Sequence, residues 1–440
     1  MDKTTVVHTD LHDDTQPAQM KERVAPVSDV CHTRCCIIGS GPAGAFLALL
    51  LARQGIPVML LEAHKSFERD FRGDTIHPAI LEILAEIGLV DRLLQFSHMR
   101  AYYVQFHTNA GPVVFDDFRH LKTSYPYIMK LPQETFLEFL IAEAKQYPNF
   151  QLIMGARVEQ LIETDGIIQG VRYRGTNGIV EVKATLTVGA DGRFSRTRRI
   201  ANLEQKKLSP PLDFLWFHLP RQQNDPQSEA IELYFGSGFF LVLLNRGEKW
   251  QVGCAIGKGT YQQVRKDGIE TLQQALAACI PWLANRVENL NDWKQISLLS
   301  IESSRLKQWY RPGLLLIGDA AHVMSPIGSV GINLAIQDAV AAANTLCWPL
   351  QQNQVQISDL AAIQRQRAWR TRLVQSWTGF IQKQIVAALN ARQALQLPRI
   401  AQFLLHLPLI RTIPARLIAF GGWSEHIRHE LRQPKIEPIQ

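Results

Sequence analysis

The stretch from Arg34 to Glu62, RCCIIGSGPAGAFLALLLARQGIPVMLLE, leaves this chain few ways to fold. Arg34 to Ile38 is a short apolar run suited to a buried strand. Gly39, Gly41 and Gly44 follow at fixed spacing, each for its own reason. Gly39 permits a tight turn, Gly41 removes the Cβ that would collide with a pyrophosphate, and Gly44 lets a helix approach the strand closely. The helix opens at Pro42-Ala43-Gly44 and runs to Arg53, apolar along Phe46, Leu47, Leu49, Leu50 and Leu51. Its free N–H groups and positive dipole end would face phosphates. Pro57 to Leu61 is the next strand, and Glu62 closes it roughly 20 residues beyond the first glycine. An acid there can accept ribose hydroxyls and would repel a 2′-phosphate. The unit is predicted to bind a dinucleotide.

Two further motifs follow in order. Asp165-Gly166 and Asn177-Gly178 are hairpin signals, predicting strands near Arg157 to Glu163, Ile167 to Arg174 and Val180 to Thr185. The chain then enters GADGRFSRTRR, with Asp191-Gly192 at its turn and a basic cluster behind it. From Arg311 to Asn344 runs RPGLLLIGDAAHVMSPIGSVGINLAIQDAVAAAN. Leu314 to Ile317 is predicted as a strand ending at Gly318-Asp319, followed by a loop from Pro326 and a helix opening at Gly331-Ile332-Asn333.

Together these segments resemble the FAD-dependent flavoprotein monooxygenases of the para-hydroxybenzoate hydroxylase type, over about Arg34 to Arg372. The resemblance implies an α/β fold: a Rossmann-like FAD-binding domain, an interlocked antiparallel β-sheet substrate domain and a helical C-terminal part. It places Asp191 and Gly192 near the FAD and nicotinamide pyrophosphates, Asp319 on the ribityl chain, and Pro326 beside the isoalloxazine ring. The helix start at Gly331 aims N–H groups at the flavin N1/O2 edge, where a helix N-terminus stabilises negative charge. Arg72, within RGDTIHP, and Gln133, which opens a helix after Leu131-Pro132, are matched more loosely to residues near the cofactor. Ser329 departs from the glycine of many relatives, a change tolerated if φ there is negative. The implied chemistry is reduction of FAD by NADH or NADPH, reaction with O2 to a C4a-hydroperoxide, and oxygen transfer to substrate in a dry pocket.

From about Pro211 to Ile301 the pattern turns to strands. FLWFHLPR, AIELYFG, GFFLVLLNRG and KWQVGCAIG predict an antiparallel sheet, with a helix over Thr271 to Ile280. Its wealth of aromatic and aliphatic residues favours an apolar or aromatic small-molecule substrate. No general base stands out; His218, Tyr234 and Arg305 are candidates by location. The expected organisation is a tail over 1–33, an FAD-binding domain over 34–210 and 302–358, a substrate domain over 211–301 and a helical basic region over 359–440.

The chain has 440 residues, enough for a large core. Its six cysteines form no disulfide framework, so a reducing, cytoplasmic setting is expected. The tail carries His8, Asp10, His12, Asp13 and Asp14, but a solvated segment would bind a metal only at a large ordering cost, so no metal is expected. Between Leu360 and Ser424 lie nine Lys or Arg and no Asp or Glu. That excess suggests either a basic coat over packed helices or peripheral contact with an anionic membrane. No nucleic-acid module accompanies it, so no nucleic-acid partner is expected. Two other functions remain open from the sequence: a flavin oxidoreductase acting on an isoprenoid or quinone without oxygen insertion, and a non-catalytic binding protein on the same fold.

Overall fold

The computed structural model describes residues 27–67, 74–108, 111–176, 178–208, 212–236, 239–391 and 408–437. The expected tail up to residue 26 and Arg72 fall outside them.

The centre is a parallel sheet in the order Leu314–Leu316, Gly178–Gly189, Val27–Ile38, Val58–Glu62, Phe150–Met154. Leu314–Leu316, Val58–Glu62 and the ends Cys35–Ile38 and Leu186–Gly189 of the two long strands are buried on both faces, which explains their apolar runs. Cys35, Ile37 and Leu60 face the helices Pro42–Arg53, Gln133–Lys145 and Gly331–Gln351. Cys36, Ile38, Met59 and Leu61 face the other way, against Val158, Val171 and Tyr173 of the hairpin strands Arg157–Thr164 and Ile167–Gly175. The Asp165-Gly166 turn joining those strands has positive φ at both residues, 51° and 77°, as a two-residue hairpin requires.

The first strand begins at Val27, not Arg34, so the segment read as a tail is partly sheet. Val27 to Thr33 pair in parallel with Ile179 to Ala184. Their side chains are mostly exposed, so no hydrophobic period marked them; the pairing is made by backbone.

The substrate sheet also exceeds its expected limits. Its seven strands run Ser297–Ser300, Leu212–Pro220, Lys249–Gly257, Phe239–Asn245, Ala230–Gly236, Tyr103–Thr108, Gly111–Asp117. The last two come from the segment assigned to the cofactor domain. Tyr103–Thr108 joins Ala230–Gly236 in parallel, the one departure from an otherwise antiparallel order among the described strands. Alternation divides the faces. Leu215, Phe217 and Leu219 pack under the helix Ile269–Cys279. Phe214, Phe235 and Phe240 look inward, toward Ile327, Ile381 and Ile385.

The C-terminal region is helical over Ile357–Ala391, Pro408–Phe420 and His429–Arg432. It is less basic at its surface than its composition implies. Arg367 is fully buried and bonds Asp338 and Glu425, and Arg370 also pairs with Glu425. Among the described residues no helix is long and apolar enough to cross a membrane.

Candidate functional site

The three glycines of the first turn answer to different neighbours. A side chain on Gly39, where φ is +97°, would come within 2.6 Å of the Ala190 carbonyl oxygen. One on Gly44 would lie 1.9 Å from the Gly39 carbonyl oxygen. One on Gly41 would meet nothing within 4 Å, and the Gly41 backbone (φ −66°, ψ 179°) suits any residue. The protein itself therefore demands glycine at Gly39 and Gly44. At Gly41 the missing Cβ leaves room above a helix start that no side chain caps. Gly331, at the start of the second such helix, is alike: no neighbour lies within 4 Å of its would-be Cβ, and no side chain caps the helix.

Gly318 brings these two helix starts together. A side chain there would be 3.1 Å from the Ala43 Cβ and 3.4 Å from the Ala335 Cβ. Asp319, half-buried, follows at this junction. Two open N-termini, an acid and glycine-made room fit a group carrying a pyrophosphate at one end and an electron-accepting ring at the other.

Glu62 is buried and accepts the Ser40 backbone N–H at 2.9 Å, the Ser40 hydroxyl at 2.7 Å and the His64 backbone N–H at 2.9 Å. It fixes the turn while a carboxylate keeps acceptor capacity for a ribose hydroxyl. Asp191 is turned to its own chain. Its oxygens accept the Ser195 hydroxyl at 2.5 Å, and the Thr197 N–H and hydroxyl, each at 2.9 Å, at the start of the short helix Arg196–Ile200. Gly192 has φ +77° and an open Cβ position. Arg198, one of the basic cluster behind that turn, is buried and donates to the Ala320 carbonyl at 3.2 Å, tying the Asp191 segment to the Asp319 turn.

Asn333 presents only its backbone toward the helix mouth. Its side-chain amide donates to the Ile418 and Ala419 carbonyls, each at 3.2 Å, and accepts from Gln337, which itself donates to Phe420 at 3.1 Å. His77 reaches the Ile418 carbonyl at 2.8 Å. These side chains satisfy the last carbonyls of the Pro408–Phe420 helix. Burial pushes the His77 imidazole down to about 4, so it is neutral there. Ile332 packs against the central core. Pro326 opens a turn closed by the Ser329 N–H onto the Pro326 carbonyl at 2.9 Å. Ser329 sits at φ +52°, so the condition of a negative φ under which serine would be tolerated is not met, and the residue carries the strain of a left-handed position. Gln133 opens its helix as expected, with its N–H 3.4 Å from Asp74.

Sequence reasoning missed the polar group beneath the Gly318 turn. Asp338 accepts the Gly318 N–H, the His322 Nε2–H and the Arg367 Nε–H. Burial pushes the Asp338 carboxyl up, but the charge and hydrogen bonds of His322 and Arg367 outweigh it and hold it below its ordinary value. Of the candidate bases, Tyr234 lies on the outer sheet face in the core under Ile269–Cys279, away from the inner aromatic face. Arg305 donates to Gln375 at 3.3 Å. His218 sits on the inner strand face, exposed.

Residues 32–375 match the model of a family described as an FAD binding domain. The chain is 31% identical over 415 residues, 92% of its length and 96% of the relative's, to 6-methylpretetramide 4-monooxygenase of Streptomyces rimosus. Its fold is like that of PqsL of P. aeruginosa, solved with 2-aminobenzoylacetate, at a TM-score of 0.69 and 20% identity, covering 82% of this chain and 97% of that one. It is also like that of the OxyS anhydrotetracycline hydroxylase from Streptomyces rimosus, at 0.66 and 21%, covering 88% and 76%. The chain belongs to the FAD-binding-domain family, and within it to the FAD-dependent monooxygenases.

Proposed function

We propose that the protein hydroxylates a fused-ring aromatic small molecule of the polyketide kind, held between the inner face of the substrate sheet and the Pro326 loop. The observation that carries this reading is the inner cluster of Phe214, Phe235 and Phe240, which Phe106, Trp216 and Ile327 of the Pro326–Ser329 turn join. Trp216 lies on Gly253, where a Cβ would come within 2.7 Å of its ring, so the face is shaped as well as apolar. The name of the Streptomyces relative at 31% identity supports the same class.

FAD, when bound, accepts electrons from NADH or NADPH and activates O2. The chain's own part is placement. In this reading Gly41 and the Pro42-Ala43-Gly44 helix start take the pyrophosphate, and Glu62 takes the adenosine ribose. Asp319 takes the ribityl chain. The N–H groups at Gly331, Ile332 and Asn333 stabilise negative charge on the ring. The inner aromatic face excludes water from the reacting atoms. The cofactor would be held by 34–210 and 302–358, less the strands Tyr103–Thr108 and Gly111–Asp117, which serve the substrate sheet.

A screen of phenols, aromatic polyketides and quinones for stimulated NAD(P)H oxidation under labelled O2 tests the proposal. Label in a hydroxylated polyketide is the expected result. Reduction of a quinone without label would replace it with the hydride-only reading.

A second reading, contact with an anionic lipid surface, is supported by exposed Trp369, Phe380, Ile413 and Trp423 beside the exposed cations Arg365, Arg372, Lys383 and Arg416. Flotation with anionic liposomes that falls with salt would support it; equal flotation with neutral liposomes would not.

A further inference from the structure

Lys130 ends the strand Ile128–Lys130, the middle one of a small sheet with Thr75–Ile76 and Met99–Ala101. Alternation puts it on the same side as Ile128, which packs with Val104, Ile231 and Leu233 of the substrate sheet. Met129 points the other way, into the central core. Lys130 is only 2% exposed, and its Nζ has no hydrogen-bond partner among the described residues. Arg221 is half-buried: Nη1 donates to Gly247 at 3.1 Å and the guanidinium lies over the Trp250 ring, while buried Nε and Nη2 have no hydrogen-bond partner among the described residues.

The local acids are already committed. Asp74 accepts Arg246 Nη2 at 2.5 Å and the Gln133 N–H at 3.4 Å. Glu232 accepts from Ser228 and from Gln105, and pairs with His107 at 2.5 Å. Burial, with Arg246 and Arg221 nearby, pushes the Lys130 ammonium down to about 8 despite the opposing Glu232 charge. Buried donors of this kind are ordinarily satisfied. The place matters too. The Leu131 N–H bonds the Asp74 carbonyl at 3.0 Å, so Lys130 stands at the seam between the Gln133 helix start and the end of the substrate sheet.

We propose that Lys130 and Arg221, with Arg246 alongside, form an oxyanion subsite that takes an acidic oxygen of the substrate, a carboxylate or an ionised phenol or enol. The proposal rests on the monooxygenase reading for what the anion belongs to, but the donors themselves do not depend on it. Lys130, with the Arg246 and Arg221 charges near it, would orient an acidic aromatic molecule with its charged end at Lys130 and its rings along the inner sheet face.

Calorimetric titration of the FAD-loaded protein with benzoate, 4-nitrophenolate, benzamide and inorganic phosphate tests this. Binding of benzoate or 4-nitrophenolate and at least tenfold weaker binding of benzamide is expected. Lys130→Met should weaken the anion at least tenfold, and Lys130→Arg should restore most of it. FAD content of each variant, read from its absorbance, should equal that of the parent. Equal binding of benzoate and benzamide, parental affinity in Lys130→Met, binding of phosphate alone, or no binding of any probe would overturn the subsite. Loss of FAD from the parent protein would instead count against the monooxygenase reading, because the anion titration can be repeated on the FAD-free protein.

Discussion

Asp338 accepts the backbone N–H of Gly318 at 3.0 Å, although the two lie on different elements and neither is exposed. The same carboxylate holds His322 at 2.6 Å and Arg367 at 2.8 Å. The turn that carries Asp319 is thus pinned from below by a buried charge group. Asp338→Asn would leave the Arg367 guanidinium with less opposite charge at full burial. Breaking a buried pair from one side costs about 3–5 kcal/mol. A denaturant midpoint lowered to match is expected, with weaker FAD retention. A variant as stable as the parent would show the group to be dispensable.

The Asp338 contribution has a defined pH sense. Its folded value is depressed below 3.8, so its stabilisation is present above that pH and is lost as pH falls through the folded value. The acid limb of the stability curve should flatten in Asp338→Asn. An unchanged acid limb would contradict the assignment.

His77 acts in a different window. Its folded value near 4 lies below its ordinary 6.5, so the unfolded chain binds more protons between them and stability falls as pH drops from 6.5 to 4. The shift amounts to roughly 3 kcal/mol at about 1.36 kcal/mol per unit. His77→Gln, which keeps a donor for the Ile418 carbonyl, should lose that slope. Denaturant midpoints at pH 7 and pH 4.5, compared between parent and variant, measure it.

Asp319→Ala should leave the fold intact, because the side chain is half-buried at the junction of the two helix starts. A charge-assisted hydrogen bond is worth roughly 1.5–3 kcal/mol, so FAD affinity should fall about ten- to a hundredfold. Fluorescence titration of the FAD-free protein reads this directly, and unchanged affinity would remove Asp319 from the ribityl site.

What the sequence made legible was local. The unit from Arg34 to Glu62 could be read because each constraint acts within a few residues: apolar runs, a turn that needs φ > 0 at Gly39, and a close approach at Gly44. The strands of the substrate sheet from Leu212 to Gly257 were legible for the same reason. Long-range pairings were not. Nothing in the neighbourhood of Arg367 says that it is buried against Asp338 and Glu425, and composition alone counted it as a surface cation. Tyr103–Thr108 and Gly111–Asp117 join a sheet whose other strands begin only at Leu212, and nothing local to the two strands names those distant partners. Nothing in the sequence around Lys130 marks its side chain as buried.

The most direct test of the account compares Gly41→Ala with Gly44→Ala. In the FAD-free protein Gly41→Ala meets no neighbour within 4 Å, so its unfolding midpoint should equal or slightly exceed the parent's. Its FAD affinity should fall at least about tenfold, about 1.4 kcal/mol, because the new Cβ occupies the room the pyrophosphate needs. Gly44→Ala should instead destabilise the fold itself, since its Cβ would lie 1.9 Å from the Gly39 carbonyl oxygen. Parental FAD affinity in Gly41→Ala would contradict the claim that this glycine turn holds the cofactor.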